Sequence, residues 1–335
     1  MKHACKKLLA VIIMLVMVVS FMPPKALGAA YNAATDLETL EARFWEDQKP
    51  PIGFYMNAAS RYILETVQNP GVGSTFGEWS VMDLLRGQYT GYDYINYIPA
   101  NYYSDYIRKV EQHVSTNNGV LDLNKSTEWS RITLALSALG YDIRNVAGYD
   151  FVEKLSSSHR FSYRQGINGP IWEIIALNTG GYQLYPDAAN PDVNTIGKMI
   201  DYILKLEITQ VNGTVGGWAL TGKMPDADIT GMALQAFAPY YLNSPLYNQT
   251  GASKSYEEFA KAVERALVVL TEIQQPNGGF SSWGTVNSES TVQVIVALTA
   301  LGFDPLASSI SLPHLGTTVD YLTEGEYRDG VWSNN

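Results

Sequence analysis

Two carboxylates stand at the start of one predicted apolar helix. Asp226 and Asp228 directly precede residues 229–237, which are almost entirely apolar or small. One helix start needs a single side chain to cap its free backbone N–H groups, so two carboxylates exceed that need. A carboxylate in excess at such a place is a candidate general acid or a contact for a polar ligand. Asp226 and Asp228 are therefore the leading candidate functional residues, and plain helix capping is the competing interpretation.

Similar polar residues begin four further apolar helices. Glu78, Glu128, Asn168 and Glu289 precede or start the predicted helices at 78–85, 128–141, 169–177 and 289–302. If these helices are parallel, their first turns share one rim. The predicted ligand-binding side chains at that rim are Glu78, Trp79, Glu128, Trp129, Trp172, Trp218 and Glu289. The competing interpretation is that the carboxylates cap helices, which contributes about 0.5–2 kcal/mol each, and that the tryptophans are core.

The helices that must position these residues are of two alternating kinds. Residues 103–116, 196–207, 257–274 and 317–327 show aliphatic side chains at three-to-four spacing with charges on the other side, which predicts amphipathic helices. The five apolar helices lie between them, and their starts are about 40 to 60 residues apart, as in helical-pair repeats. A helix that is apolar all round must be surrounded, so the apolar set forms an inner layer. The predicted fold class is all-α, an α/α toroid of the α6/α6 type.

The segments around the turns resemble a known repeat family. Gln210, Gly216, Gly217 and Trp218 match the Gln–spacer–Gly–any residue–Trp signature of squalene and other triterpene cyclases, and Gln275 to Phe280 match it with Phe in place of Trp. Together with residues 226–237 and 289–302, these motifs identify residues 50–335 as similar to the prenyltransferase/squalene-oxidase repeat family. The resemblance is to its exported bacterial surface branch, related to the transcobalamin and intrinsic factor toroid. It implies the toroid fold, which hosts cyclases, transferases and binding proteins alike.

The resemblance implies two kinds of chemistry that can be compared with the residues present. Protein prenyltransferases hold zinc with Asp, Cys and His, but here only the widely spaced His113, His159 and His314 follow the first thirty residues, and no Cys does. Terpenoid cyclases use the middle Asp of Asp-x-Asp-Asp as general acid; Asp228 matches that Asp, while Ile229 replaces the last one. The alternative enzyme is therefore a metal-free isomerase or lyase that uses Asp228, and no cofactor is expected.

The first thirty residues have the three parts of a secretory signal. Lysines precede an apolar run at residues 8–22, which is followed by Pro23, Pro24 and small residues. Removing residues 1–30 removes four lysines and no acid, so the mature chain is more acidic than the formal charge of −10. An acidic chain does not favour nucleic-acid binding, and no second apolar run is long enough to span a membrane. The expected location is secreted or at the cell surface.

The sequence after the signal is expected to form one toroid domain, residues 31–335. Asn335 follows the last predicted outer helix, so the sixth inner helix is expected to be missing and the domain to be incomplete at its C-terminus. The acidic helix predicted at residues 35–47 is the alternative filler of that gap. The expected function is a non-catalytic ligand-binding or cell-surface module for a small molecule, a glycan or a cobalamin-like ligand. A terpenoid cyclase and a purely structural repeat module remain the alternatives.

Overall fold

The computed structural model describes residues 52–73, 76–87, 96–210, 212–282, 284–305, 307–321, 326–328 and 331–333. The predicted signal segment at residues 1–30 and the predicted helix at residues 35–47 lie outside these ranges. Within them the chain is mostly helical, which agrees with the all-α class. No helix in the described part is long and apolar enough to cross a bilayer.

The helices follow the predicted order along the chain. Their bounds are α1 Ile52–Thr66, α2 Glu78–Gly87, α3 Tyr102–Thr116, α4 Ser126–Ala138, α5 Phe151–Ser156, α6 His159–Tyr163, α7 Asn168–Gly180, α8 Ile196–Lys205, α9 Ala227–Tyr241, α10 Ser244–Gln249, α11 Tyr256–Ile273 and α12 Ser288–Ala300. All five apolar helices and three of the four amphipathic helices are therefore confirmed.

In the described residues, six short strands form three antiparallel pairs. The pairs are β1 Phe280–Ser282 with β2 Thr285–Asn287, β3 Ser309–Leu312 with β4 Thr317–Asp320, and β5 Glu326–Arg328 with β6 Val331–Ser333. The helix predicted at residues 317–327 is wrong, because this segment contains β4 and most of β5. Thr317, Thr318 and Val319 are β-branched, and such side chains favour extended backbone over helix. The turn that precedes Thr317 is also fixed by a residue of α11. The buried Glu264 accepts hydrogen bonds from the backbone N–H groups of His314 and Leu315 in this turn.

The described chain forms two compact units. The first contains residues up to 123, 128–154 and 176–183, and the second contains residues 124–127, 155–175 and those from 184 onward. In the first unit, α1 packs against α2, and the core includes Val81, Leu84 and Tyr106.

In the second unit, α9 is the central helix. Every residue of α9 except Asp228 and Pro239 is buried, as a helix that is apolar on all sides requires. It packs most extensively against α12 and also against α11. A Cβ added at Gly231 in α9 would lie 2.8 Å from the carbonyl oxygen of Gln293 in α12, so these two backbones approach closely.

The contacts of α9 define the directions of its neighbours. Gln235 Nε2 in the second half of α9 donates to Gln293 Oε1 in α12 at 2.7 Å, and Asp228 near the start of α9 lies beside Ser290 near the start of α12. The helices α9 and α12 are therefore parallel. By contrast, Tyr256 Oη at the start of α11 donates to the carbonyl oxygen of Tyr241 at the end of α9, so α11 is antiparallel to α9.

Candidate functional site

The parallel arrangement of α9 and α12 places the first turns of both helices together. Asp226 and Asp228 belong to the start of α9, and Glu289 and Ser290 belong to the start of α12. The hairpin β1–β2 leads into α12 and adds Ser282. We call these five residues the acidic cluster. It contains three of the predicted site residues, namely Asp226, Asp228 and Glu289.

Asp226 performs the capping role that any helix start requires. It is the N-cap residue of α9, and its Oδ1 accepts a hydrogen bond from the backbone N–H of Ile229 at 3.0 Å. Its Oδ2 accepts a hydrogen bond from the hydroxyl of Ser282 at 2.6 Å. Both carboxylate oxygens of Asp226 are thus engaged, which leaves Asp228 as the second carboxylate that capping does not need.

Asp228 is a half-buried carboxyl with unused hydrogen-bonding capacity. Its Oδ1 is buried and makes no hydrogen bond of normal geometry. Burial raises the pKa of Asp228 above its ordinary value, and the neighbouring charges of Asp226 and Glu289 act in the same direction. The hydroxyls of Ser290 and Ser282 lie close enough to oppose this rise in part. The carboxyl therefore takes up a proton more readily than an exposed aspartate does.

No basic side chain neutralises the acidic cluster within the described ranges. Glu289 accepts a hydrogen bond from the hydroxyl of its neighbour Ser288 at 3.0 Å. Neither Asp226 nor Asp228 nor Glu289 forms an ion pair with any Lys, Arg or His that the structure describes. The start of α9 and the start of α12 offer partial positive charge from their free backbone N–H groups. The cluster is nevertheless a site of net negative charge.

Two other predicted rim residues meet in the first unit. Arg131 lies between Glu78 and Glu128, with Nε 3.0 Å from Glu78 and Nη2 2.5 Å from Glu128. The buried Glu78 also accepts hydrogen bonds from the hydroxyl of Tyr106 at 3.2 Å and from the backbone N–H of Gly73. Glu78 and Glu128 are thus paired with a cation, unlike the carboxylates of the acidic cluster.

The four predicted site tryptophans differ in exposure. Trp129 and Trp218 are buried, and their indole N–H groups donate to the carbonyl oxygens of Asp122 at 2.9 Å and Ile203 at 2.8 Å. Their rings pack edge-on against Phe151 and Phe237. Trp79 and Trp172 are half-buried. The indole N–H groups of Trp129 and Trp218 already have acceptors, and their rings are buried. Trp79 and Trp172 are therefore better placed to contact a ligand.

Sequence reasoning did not select several residues that the structure brings into these sites. Ser282 and Ser290 join the acidic cluster, and Arg131 joins Glu78 to Glu128. For Arg131 a local signal existed, because it follows Glu128 by three residues on the same helix. For Ser282 the contact with Asp226 spans 56 residues and depends on tertiary packing.

Two fully buried carboxyls inside apolar helices were also not selected. Burial raises the pKa of Glu173 in α7 to about 8, although the hydroxyl of Ser162 and the amide of Asn194 donate hydrogen bonds to it. Burial also raises the pKa of Asp83 in α2, whose two carboxyl oxygens make no hydrogen bond. The signal was a single acid within an otherwise apolar run, as in residues 171–175.

The described residues contain no group of three or more His, Cys, Asp or Glu side chains arranged to hold a metal ion. Comparisons of the chain with protein-family models, curated proteins and solved structures find no match.

Proposed function

We propose that this protein is an exported, non-catalytic module that binds a polar ligand at the acidic cluster. The observation that carries the proposal is Asp228, a half-buried carboxyl in the first turn of α9 that capping does not need, because Asp226 already caps α9. Export is proposed from the signal-like residues 1–30.

The proposed architecture around this site is the α/α toroid of prenyltransferase/squalene-oxidase-like repeats. The parallel pair α9 and α12, with the antiparallel α11 between them in sequence, supports an inner layer of parallel helices. In such a layer the first turns of neighbouring inner helices lie side by side, and Arg131 links two residues of first turns, Glu78 in α2 and Glu128 in α4. Parallel first turns provide the rim at which a ligand would bind.

A thermal-shift experiment with the purified protein tests the proposal. Wall glycans, cobalamins and polyprenyl analogues are added separately to the wild-type protein, to Asp228→Asn and to Asp187→Asn. Asp187 is an exposed aspartate that caps a local turn, so Asp187→Asn controls for the loss of one acidic side chain. A ligand that binds only the folded state must raise the melting temperature. We expect one ligand class to do so for the wild type and Asp187→Asn but not for Asp228→Asn.

The absence of any shift for a folded protein would favour the purely structural module instead. A cyclase is the second candidate function, because the raised pKa of Asp228 is what a general acid requires. Incubation with squalene-type polyenes distinguishes it from a binder. Cyclic products that disappear in Asp228→Asn would establish catalysis, whereas ligand-dependent stabilisation without products would establish binding.

A further inference from the structure

Two tyrosine rings of the second unit lie face to face. Tyr163 in α6 and Tyr202 in α8 have ring centroids 3.9 Å apart, and their ring planes are 14° from parallel. Aromatic pairs in proteins usually have centroids about 4.5–7 Å apart and are offset or edge to face. The rings of Tyr163 and Tyr202 are therefore closer, and more nearly parallel, than packing alone usually makes them.

Neighbouring contacts hold the Tyr163 ring in this position. Tyr163 Oη donates a hydrogen bond to the carbonyl oxygen of Lys198 in α8 at 2.7 Å. Lys198 precedes Tyr202 by four residues, so the two lie on one face of α8. On α6, the ring of His159 packs against that of Tyr163 with the centroids 5.2 Å apart. The stack is therefore a fixed feature of the folded chain.

Stacked phenol rings have the geometry in which two tyrosyl radicals couple. A tyrosine that loses one electron and its phenol proton holds an unpaired electron in orbitals perpendicular to the ring. Such orbitals overlap between stacked rings but not between edge-on rings. Two other tyrosine pairs of the described chain are edge-on at 5.5 and 5.8 Å, namely Tyr102–Tyr103 and Tyr247–Tyr256. Fixed contact also makes the coupling intramolecular, which raises its rate.

The stack is accessible to an oxidant, and cysteine chemistry offers no equivalent link. Both rings are half-buried, so each is open in part to solvent. An oxidant can therefore act at the stack, and the released protons pass to water. The sequence contains a single cysteine, Cys5, so a disulfide cannot join two of its own residues. A bond between Tyr163 and Tyr202 would link α6 to α8 covalently without cysteine.

We propose that Tyr163 and Tyr202 form an intramolecular dityrosine cross-link in the presence of hydrogen peroxide and a haem peroxidase. Each phenol gives up one electron and its O–H proton. A bond then forms between two ring carbons, each adjacent to the carbon that bears the oxygen. The hydrogen on each bonded carbon moves as a proton to the phenol oxygen, which restores both aromatic rings. One hydrogen peroxide takes up the two electrons and two protons and becomes two water molecules. This modification site is independent of the acidic cluster and of the proposed ligand.

Oxidation of the dilute, purified full chain with a haem peroxidase and one equivalent of hydrogen peroxide tests the proposal. We expect a monomer that shows dityrosine fluorescence and has lost two hydrogen atoms. Trypsin releases residues 161–164 and 199–205 as separate peptides with one tyrosine each. After oxidation these two peptides should be recovered joined. Methionine oxidation adds oxygen instead of removing hydrogen, so the masses separate the two reactions.

A variant and an unfolded sample locate the reaction. Tyr202→Phe keeps the ring but removes the phenol, so the yield of intramolecular dityrosine should fall about tenfold. Tyr103→Phe, from an edge-on pair, should leave that yield unchanged. In urea the wild type should lose its preference for the joined peptides 161–164 and 199–205, because only the folded chain holds the stack. This comparison decides the matter even if Tyr202→Phe does not fold. An unchanged yield in Tyr202→Phe, cross-links that join other tyrosines of the folded protein, or equal yields of the joined peptides with and without urea would each overturn the proposal.

Discussion

Asn194 donates its side-chain N–H to Glu173 at 2.5 Å, and both side chains are completely buried in the second unit. The hydroxyl of Ser162 donates to the other oxygen of Glu173. No Lys or Arg pairs with Glu173 in the described structure, so neutral donors alone face this carboxyl. Burial outweighs these two hydrogen bonds and raises the pKa of Glu173 to about 8.

This arrangement predicts that the contribution of Glu173 to stability decreases as pH rises. The folded-state pKa of Glu173 is about 8, and its ordinary value is 4.5. Between these values the unfolded chain has released the proton that the folded chain keeps. The free energy of unfolding therefore falls from about pH 4.5 to pH 8, by an amount on the order of several kcal/mol.

Urea unfolding of the wild type and Glu173→Gln at a series of pH values measures this effect. Glutamine has nearly the same shape but does not titrate, so the difference between the two curves isolates Glu173. We expect Glu173→Gln to become relatively more stable toward pH 8. If the free energies of unfolding of the wild type and Glu173→Gln change in parallel between pH 4.5 and pH 8, Glu173 is ionised in the folded protein at neutral pH.

The ion pairs of Arg131 predict a large loss of stability in Arg131→Met. The substitution leaves Glu78 as a buried carboxylate without its cation, and breaking a buried pair costs about 3–5 kcal/mol. Denaturant unfolding provides the measurement. Arg144→Met is the matched control, because Arg144 pairs with Asp142 on the surface, where such pairs contribute about 0–1 kcal/mol.

A double variant separates this charge effect from lost packing. In Arg131→Met with Glu78→Gln, no buried carboxylate remains at position 78, so part of the lost stability should return. If the stability lost in the double variant equals the sum of the losses in Arg131→Met and Glu78→Gln, Arg131 and Glu78 make no coupled contribution to stability.

The apolar helices could be predicted because their signals are local. In α9 the cap Asp226 and the apolar residues after it lie within fifteen residues of one another, and the structure starts the helix at Ala227. The second carboxylate, Asp228, could be identified from the sequence for the same reason. Helix periodicity and caps act over a few turns, so one sequence is enough to show them.

The contacts that complete the acidic cluster could not be predicted in this way. Ser282 reaches Asp226, and Ser290 lies beside Asp228, because α9 and α12 pack in parallel through Gly231 and Gln293. Nothing local in residues 280–290 indicates that alignment. The sequence therefore identified the carboxylates at the helix starts but not the hydroxyls that face them.

Gly216, part of the Gln–Gly–Trp motif, predicts a second loss of stability. Its φ is 151°, and a Cβ there would lie 2.6 Å from the carbonyl oxygen of Arg265 in α11. Gly216→Ala therefore introduces backbone strain and a steric clash with the backbone of α11. Overpacking of this kind costs about 1–3 kcal/mol. Gly213→Ala is the control, because Gly213 has φ of 88° but no atom within 4 Å of its added Cβ.

Melting temperatures of the two glycine variants provide the comparison. We expect Gly216→Ala to lower the melting temperature clearly more than Gly213→Ala, since only the former displaces α11. Equal decreases would mean that the positive φ alone, and not the close approach to α11, requires glycine at position 216.

The hairpin β3–β4 gives the last prediction, because its turn is held by a residue in α11. The buried Glu264 accepts hydrogen bonds from the backbone N–H groups of His314 at 3.1 Å and Leu315 at 2.7 Å, and from the hydroxyl of Tyr241 at 2.9 Å. Hydrogen bonds to a charged group contribute about 1.5–3 kcal/mol each. This contact spans 50 residues or more, which is why local sequence favoured a helix at residues 317–327.

Glu264→Gln should release the turn. Its amide has one carbonyl oxygen for three donors, and its NH₂ group would face a backbone N–H. We expect amide hydrogen exchange at Leu315 to accelerate at least tenfold, which corresponds to about 1.4 kcal/mol of local opening free energy. Glu257→Gln is the control, because Glu257 is exposed and bonds only the ring of His314 within the turn. Unchanged protection of Leu315 in Glu264→Gln would mean that pairing of β3 with β4, rather than the carboxylate, fixes the turn.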